Sequence, residues 1–157
     1  MGRVQFDALD CKILKMLSNN ARKPFLEIAR ECGVSGAAIH QRIQKLTAQG
    51  VINGFESLIN PNSVGYETCA FIGVLLSDPS KFDYVLDELK KIPEIVECHF
   101  TTGKYDLFMK LYARNNDHLL HIIHDRIQSI NPGRTETLIS FKESYKHPIP
   151  INEENFK

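Results

Sequence analysis

The sequence has few cysteines, and their spacing excludes two common uses of this residue. The four cysteines are widely separated, at Cys11, Cys32, Cys69 and Cys98, and no two form a CxxC pair. Such scattered cysteines fit neither a compact zinc site nor a dense disulfide framework. We therefore expect reduced and mostly buried thiols.

Long apolar runs and catalytic motifs are also absent. The first ten residues, MGRVQFDALD, contain charges and no extended apolar stretch, so we expect neither a signal peptide nor a membrane-spanning helix. No GxSxG motif, phosphate-binding loop or Cys/His nucleophile pattern occurs. These absences predict a cytoplasmic protein that is not an enzyme and needs no cofactor.

The chain has no net charge, with 19 basic and 19 acidic residues, which at first argues against a nucleic-acid partner. The charge is unevenly distributed, however. Residues 1–60 contain 8 lysines and arginines and 5 acidic residues (8 − 5 = +3), whereas residues 61–157 contain 11 and 14 (11 − 14 = −3). A basic excess confined to one part of the chain is what neutralisation of DNA phosphates requires.

The stretch from Pro24 to Gly50 predicts two short helices joined by a tight turn. Apolar residues recur at helical spacing up to Gly33, which suits a left-handed turn, and Ser35 then offers an N-cap oxygen. The second helix turns three apolar residues inward: Ile39, Ile43 and Leu46. This pattern is typical of the helix-turn-helix, whose second helix enters the major groove of DNA.

The outward face of this second helix carries no acidic residue between Ser35 and Gly50. Small residues at its start allow a close approach to the groove, glutamine can pair with adenine, and arginine with guanine or a phosphate. An ordinary helical hairpin with a polar outer face is the alternative interpretation. The predicted DNA-binding residues are Ser35, Gly36, Ala37, His40, Gln41, Arg42 and Lys45.

Two flanking segments complete the predicted DNA-binding domain. Phe6 to Asn20 has an apolar stripe at helical spacing and predicts a first helix that packs across the other two. Asn53-Gly54, within VINGFESLINP, is a strong hairpin-turn signal and predicts a two-stranded wing. We therefore expect a winged helix-turn-helix over residues 1–60 and a hinge over residues 61–65.

The remainder, residues 66–157, predicts a ferredoxin-like βαββαβ domain, which makes the whole chain α+β. Apolar, β-branched runs alternate with helical spacing in the order strand, helix, strand, strand, helix, strand. Small domains of this kind often associate to cover the free face of their sheet. The predicted elements are 66–76, 81–92, 95–102, 105–113, 116–130 and 135–141.

The two modules, in this order, resemble the Lrp/AsnC family of transcriptional regulators. The resemblance rests on GVSGAAIHQRIQKLTAQGVING, GYETCAFIGVLL, TTGKYDLF, and RIQSI followed by TETLI, and it extends from about Leu9 to Phe141. Within the family it is nearest the asparagine-responsive AsnC type. It implies a regulator that binds double-stranded DNA, forms homodimers that assemble into octamers, and binds a small effector, usually an amino acid, between subunits.

The segment Thr101 to Asp106 predicts the effector site. Hydroxyls and backbone amides of Thr101 and Thr102 suit a carboxylate, and Asp106 suits an ammonium group. From the residues alone, a purely polar hairpin is the alternative. The resemblance extends the effector-binding set to Phe100, Gly103, Tyr105 and Gln128, together with Thr135, Glu136 and Thr137 from across a subunit boundary.

Asparagine is the first choice of effector, but two positions depart from the asparagine regulator used for comparison. Asp106 replaces a smaller hydroxyl side chain there, and Phe100 lacks the hydroxyl that a tyrosine offers. Asp106 can hold an ammonium group more strongly, yet it can repel a polar side chain of the effector.

Two other functions and one metal cluster are alternatives. Relatives on this two-module fold act as decarboxylases of haem precursors, and a sensing domain can control other proteins without binding DNA. The outward face from Gly36 to Lys45 argues against a vestigial helix-turn-helix. His118, His121 and His124 resemble metal ligands but fit a solvated helical stripe better, so we predict no metal.

Overall fold

The computed structural model describes residues 6 to 152, and the chain divides into two compact units. The first unit combines residues up to Leu58 with the tail from Tyr145, and the second spans Ile59 to Ser144. The tail of the predicted second domain, residues 66–157, groups with the first unit because Ile151 packs against the hydrophobic core formed there.

Three helices build the first unit: α1 (Ala8–Asn19), α2 (Phe25–Cys32) and α3 (Gly36–Ala48). Asp7 caps α1, Gly33 ends α2 with a φ of 69°, and Ser35 accepts a hydrogen bond from the N–H of Ala38 at 3.2 Å. The roles of Gly33 and Ser35 were predicted correctly from the sequence. Among residues 6–152, no helix is long and apolar enough to cross a membrane.

The core of the first unit lies where the three helices meet. Ile13, Ile28 and Ile39 are completely buried, and Ile43 and Leu46 of α3 join them. Full burial of one such side chain stabilises a fold by about 1.5–3 kcal/mol. The predicted inward face of α3 is confirmed, which fixes the opposite face toward solvent.

The predicted wing does not form. Residues 52–60 contain no strand, and neither Asn53 nor Gly54 has the positive φ that a two-residue hairpin turn of the Asn-Gly type requires. Phe55 and Leu58 remain exposed, so within the described chain these side chains do not pack on an apolar surface that would hold a hairpin in place.

The second unit is a four-stranded antiparallel sheet with helices on one face. Its strand order is β2-β3-β1-β4, which matches the predicted ferredoxin-like arrangement. The short turn Asn62–Val64 occupies the predicted hinge. The elements are β1 (Thr68–Leu76), α4 (Phe82–Leu89), β2 (Ile95–Phe100), β3 (Leu107–Ala113), α5 (Asn116–His121) and β4 (Gly133–Ser140).

The two faces of this sheet differ in their cover. Ala70, Ile72 and Val74 of β1 face the helices and are fully buried. Residues between them, such as Phe71, lie on the open face, where Phe71 stacks on Phe108 of β3 at 5.8 Å between ring centroids. One side of the sheet is therefore a packed core, and the other is an aromatic surface.

The second helical stretch is less regular than predicted. We expected one helix over residues 116–130, but α5 continues as a π-helical turn over Ile122–Ile127 and a 3₁₀ turn over Gln128–Ile130. Asn131, with a φ of 52°, ends the stretch before Pro132.

The cysteines only partly match expectation. All four lie among the described residues and none forms a disulfide. Cys11 is buried, but Cys32 and Cys69 are partly exposed and Cys98 is exposed, so the expectation of mostly buried thiols was wrong.

Candidate DNA-binding surface and effector site

The outer face of α3 presents most of the predicted DNA-binding side chains to solvent. Ser35, Ala37, His40, Gln41 and Lys45 are all exposed. Ser35 starts this surface by capping α3, which leaves the first turn of the helix well ordered. Together these residues form an exposed polar helix face with no acidic group to repel the phosphates of DNA.

His40 is held by two neighbours on this face. Its ring lies 6.1 Å from that of Phe25 on α2, and its Nε2 is 3.1 Å from the amide nitrogen of Gln44. Gln44 is exposed beside the predicted contacts, although it was not among them. These contacts restrict the ring of His40 to one side of the helix.

Gly36 has a packing role at the start of α3. It is partly buried, and a Cβ placed there would lie 3.1 Å from Cδ2 of Leu26 on α2. A side chain at this position would press on α2, so the close contact of the two helices accounts for this glycine.

Arg42 differs from the rest of the predicted set, because its side chain is directed at α1. Its guanidinium pairs with Asp7 and with Oδ1 of Asp10, the latter at 3.0 Å. Asp10 is almost fully buried. In the folded unit the charge of Arg42 neutralises two carboxylates at the start of α1, and its contact with DNA stays a prediction.

The same contacts shift the acid–base behaviour of this cluster. The pKa of Asp7 is lowered from its ordinary value of 3.8, first by the N–H of Asp10, which donates to its carboxylate, and also by Arg42. A carboxyl with a lowered pKa in the folded state stabilises the fold above its unfolded pKa. That contribution is lost as the pH falls through the lowered value.

Lys45 is the cation of α3 that remains available for an external partner. Its ammonium forms no ion pair or hydrogen bond with any residue between 6 and 152, and its side chain is exposed. Lys23, in contrast, pairs with Glu31 at 2.6 Å. Lys45 is therefore the residue of α3 best placed to neutralise a phosphate.

The candidate effector segment is a folded loop between β2 and β3. Thr101 closes it, since its Oγ1 donates to the carbonyl of Tyr105 at 2.7 Å and its N–H donates to the carbonyl of Asp106 at 3.0 Å. Gly103 has a φ of 103°, a conformation that favours glycine. Thr102 and Gly103 are exposed at the tip, where their backbone groups can meet a ligand.

Asp106 ties this loop to the end of β1. Its N–H donates to the carbonyl of Val74 at 2.9 Å, and its Oδ2 accepts from the N–H of Leu76 at 2.8 Å. One carboxylate oxygen is thus occupied in holding the sheet edge. Among residues 6–152 the other oxygen, Oδ1, has no hydrogen-bond partner.

Tyr105 joins the loop to β4 across a glycine of β1. Its hydroxyl donates to Oε2 of Glu136 at 2.6 Å, and its ring lies where a Cβ of Gly73 would be, at 2.5 Å from Cδ1. Lys104 pairs with the same carboxylate and lies 5.1 Å from the Tyr105 ring centroid. Lys104 first, and then the Tyr105 hydroxyl, lower the pKa of Glu136.

The remaining predicted effector residues are more dispersed. Thr135 and Thr137 lie on β4 opposite Val74 and Ile72, partly buried, so they border the same end of the sheet. Phe100 is exposed at the end of β2 and packs edge-on against Phe82, 4.9 Å between centroids. Gln128 contacts His124 instead, with 2.8 Å between its Oε1 and Nδ1 of the histidine.

Gly73 was missed by the sequence reading, although a signal existed. A glycine inside an apolar strand run often marks the close approach of another group, and here that group is the ring of Tyr105.

Replacing Gly73 by alanine is expected to displace Tyr105 and break its hydrogen bond to Glu136, because the methyl group would lie inside van der Waals distance of the ring. Overpacking of this kind costs about 1–3 kcal/mol. Thermal unfolding followed by tyrosine fluorescence measures it. Gly54→Ala is the control, since its Cβ would meet no atom within 4 Å. Equal melting temperatures for the two variants would contradict the packing role.

The histidines of the α5 region are paired individually. His118 lies 3.7 Å from a carboxylate oxygen of Glu94, and His121 pairs with Asp125. Within residues 6–152, no group of three or more histidine, cysteine or acidic side chains is placed to hold a metal ion.

Comparison with known proteins identifies both modules. Residues 6–47 match the model of the AsnC-type helix-turn-helix domain, and residues 69–150 match that of the Lrp/AsnC ligand-binding domain. The second match alone covers more than half of the chain.

Individual relatives agree with these matches. The regulatory protein AsnC of Haemophilus influenzae is 37% identical, covering 87% of this chain and 91% of its own. The transcriptional regulator FL11 of Pyrococcus horikoshii is 40% identical, covering 94% and 99%. The solved structure of Escherichia coli AsnC superposes with a TM-score of 0.86 at 35% identity, covering 93% of this chain and 99% of that one.

A further solved structure shows a ligand. It is a feast or famine regulatory protein from M. tuberculosis complexed with L-methionine, 26% identical, with a TM-score of 0.87 and coverage of 93% of this chain and 99% of that one.

Proposed function

The chain belongs to the Lrp/AsnC family of transcriptional regulators, and we propose that it binds specific operator DNA through α3 with an affinity that changes when an amino acid binds the second unit. AsnC of Haemophilus influenzae and FL11 of Pyrococcus horikoshii are regulators, so we also propose that this chain has no catalytic activity and acts in the cytoplasm.

One observation carries the DNA-binding proposal: α3 presents an exposed polar face without acidic residues, on the part of the chain that has a net charge of +3. Gln41 and His40 are positioned to read base edges, Lys45 to contact a phosphate, and Ser35 and Ala37 to allow a close backbone approach. Arg42 is left out of the proposed contacts because its guanidinium pairs with Asp7 and Asp10.

The effector proposal rests on the chemistry around the loop between β2 and β3. An amino acid needs acceptors for its ammonium group and donors for its carboxylate. Oδ1 of Asp106 supplies an acceptor, and the exposed backbone of Thr102 and Gly103 supplies N–H donors. An amino acid is also the class of ligand bound by the M. tuberculosis relative.

We propose that copies of this chain associate through the open face of the sheet. Phe71, Phe108 and Tyr112 lie there, only partly buried, and Lys110 lies 5.9 Å from the Phe71 ring centroid and 5.3 Å from that of Tyr112. A second copy would cover these rings, as small domains with one bare sheet face require. A dimer, or an octamer built from dimers, would then place several weakly basic units on spaced half-sites, and avidity would raise their affinity for the operator.

The test is the salt dependence of operator binding by the wild type and by Lys45→Ala. Removal of one phosphate contact should weaken binding to all sequences alike and reduce the log–log salt slope by about 1 per bound subunit. Fluorescence anisotropy with a labelled fragment of the upstream DNA measures both.

Lys90→Ala is the matched control, since it removes the same charge from the second unit, where Lys90 pairs with Asp87. An unchanged salt slope in Lys45→Ala would contradict the proposed role of α3 in DNA binding. If the wild type binds this DNA no better than random sequence, the regulator would have to act at another operator.

A further inference from the structure

The tail of the chain packs on the DNA-binding unit. Residues 147–151 line a groove of about 300 Å³ together with Lys15, Ser18 and Asn19 of α1. At its far end Ile151 is partly buried and packs against the core formed by the three helices. The tail is therefore a fourth element of this unit, next to the last turns of α1.

The composition of the tail favours a stiff docked segment. It reads His147-Pro148-Ile149-Pro150-Ile151, with a proline at every second position. Each proline fixes its own φ and restricts the residue before it to an extended conformation. Fewer conformations are lost when such a segment docks, so even a small apolar contact can hold it.

The chain just before this segment is bound to the sheet. Glu143 accepts an ion pair from Lys110 of β3 at 3.3 Å, and the Lys110 side chain is only 12% exposed. Four residues, 144–147, separate Glu143 from Pro148. β4 ends at Ser140, just before this anchor, and contains Thr135, Glu136 and Thr137 of the candidate effector site.

We propose that residues 147–151 form a strap that transmits changes in β4 to the DNA-binding unit. The chain passes between the two units twice, once after Leu58 and once after Ser144, and the second passage leads from the end of β4 to Ile151, which packs against the core beneath α3. The strap rests on the proposed function for its biological use, but its docking is a physical property that can be tested separately.

Hydrogen exchange of the full-length protein tests the docking. Ile151→Asp places a charge against the core and should release the tail, so amides in the last turns of α1 should exchange about tenfold faster. Ile149→Asp is the matched control, because Ile149 is 81% exposed and should accept a charge without this effect. Equal exchange of α1 in both variants would overturn the strap.

Operator affinity measured with and without L-methionine and L-asparagine tests the transmission. In Ile151→Asp we expect DNA binding and ligand binding, followed by calorimetry, to persist while the ligand-induced change in affinity falls below about twofold. A change as large as in the wild type would overturn the strap and leave the proposed function intact. If the wild type itself does not respond, the proposed function fails, and the exchange result alone decides whether the strap exists.

Discussion

Replacing Arg42 by alanine is expected to lower the free energy of unfolding of the first unit by about 3 kcal/mol. The change removes the guanidinium that pairs with the carboxylates of Asp7 and Asp10. Asp10 is 2% exposed, so it would be left as a buried charge, and among residues 6–152 the N–H of Asp7 would be its only remaining donor. Loss of one partner of a buried pair typically costs about 3–5 kcal/mol, and partial exposure of Arg42 places this case at the lower end.

Thermal unfolding followed by circular dichroism measures this effect. A loss of about 3 kcal/mol in a unit of this size lowers the melting temperature by more than about 10 °C. Lys45→Ala is the control on the same helix, since its exposed side chain has no partner among residues 6–152 and its removal should leave stability within about 0.5 kcal/mol. A melting temperature in Arg42→Ala equal to that of Lys45→Ala would show that the cluster contributes nothing.

A second variant distinguishes the role of Arg42 in its cluster with Asp7 and Asp10 from a role in DNA contact. Arg42→Lys keeps a positive charge but cannot reproduce the fork of donors that serves two carboxylates. We expect intermediate stability and operator binding close to that of the wild type below the melting transition. Weaker operator binding by a folded Arg42→Lys protein would instead indicate that Arg42 contacts DNA through its fork of donors.

The local signals of the first unit could be read from sequence because they depend on neighbouring residues. Gly33 and Ser35 mark a helix end and a helix start through their own backbone and side-chain chemistry, and both were placed correctly. The inward face of α3 followed from apolar spacing alone. Where a structural feature depends only on residues within one turn of the chain, a single sequence is sufficient to predict it.

Contacts between residues distant in sequence could not be predicted. Arg42 lies on the polar side of α3, and only the folded unit shows that it reaches Asp7 and Asp10, more than 30 positions earlier. Nothing local in the sequence of the tail indicates that Ile151 packs on the first unit. Likewise, Asn53-Gly54 carries a strong turn signal, but no apolar surface is available to hold a hairpin there.

The candidate effector site was predicted as a segment but not as an arrangement. Thr101 to Asp106 do form one folded loop, and the register of β4 brings Glu136 to Tyr105. The register depends on strand pairing, which no short motif encodes. As a result, the second role of Asp106, which accepts a hydrogen bond from the N–H of Leu76, could be recognised only in the structure.

Asp106 has one role in the sheet and a proposed role in ligand binding, and these predict different outcomes for two substitutions of this residue. Asp106→Asn keeps an oxygen that can accept from the N–H of Leu76 but removes the charge offered to an ammonium group. We expect the free energy of unfolding to change by less than about 1 kcal/mol. A hydrogen bond to a charged group contributes about 1.5–3 kcal/mol, so affinity for the amino acid should fall by about 10- to 150-fold.

Asp106→Ala removes both functions. It leaves the N–H of Leu76 without its acceptor, and an unsatisfied donor of this kind costs about 1–3 kcal/mol if it is shielded from water. Calorimetric titration with the amino acid that binds the wild type, combined with thermal unfolding, therefore separates the two contributions of one carboxylate. If Asp106→Asn binds that amino acid as tightly as the wild type while Asp106→Ala is unstable, the carboxylate serves the sheet alone. The ammonium group would then have to be bound by another acceptor of the loop or by Glu136.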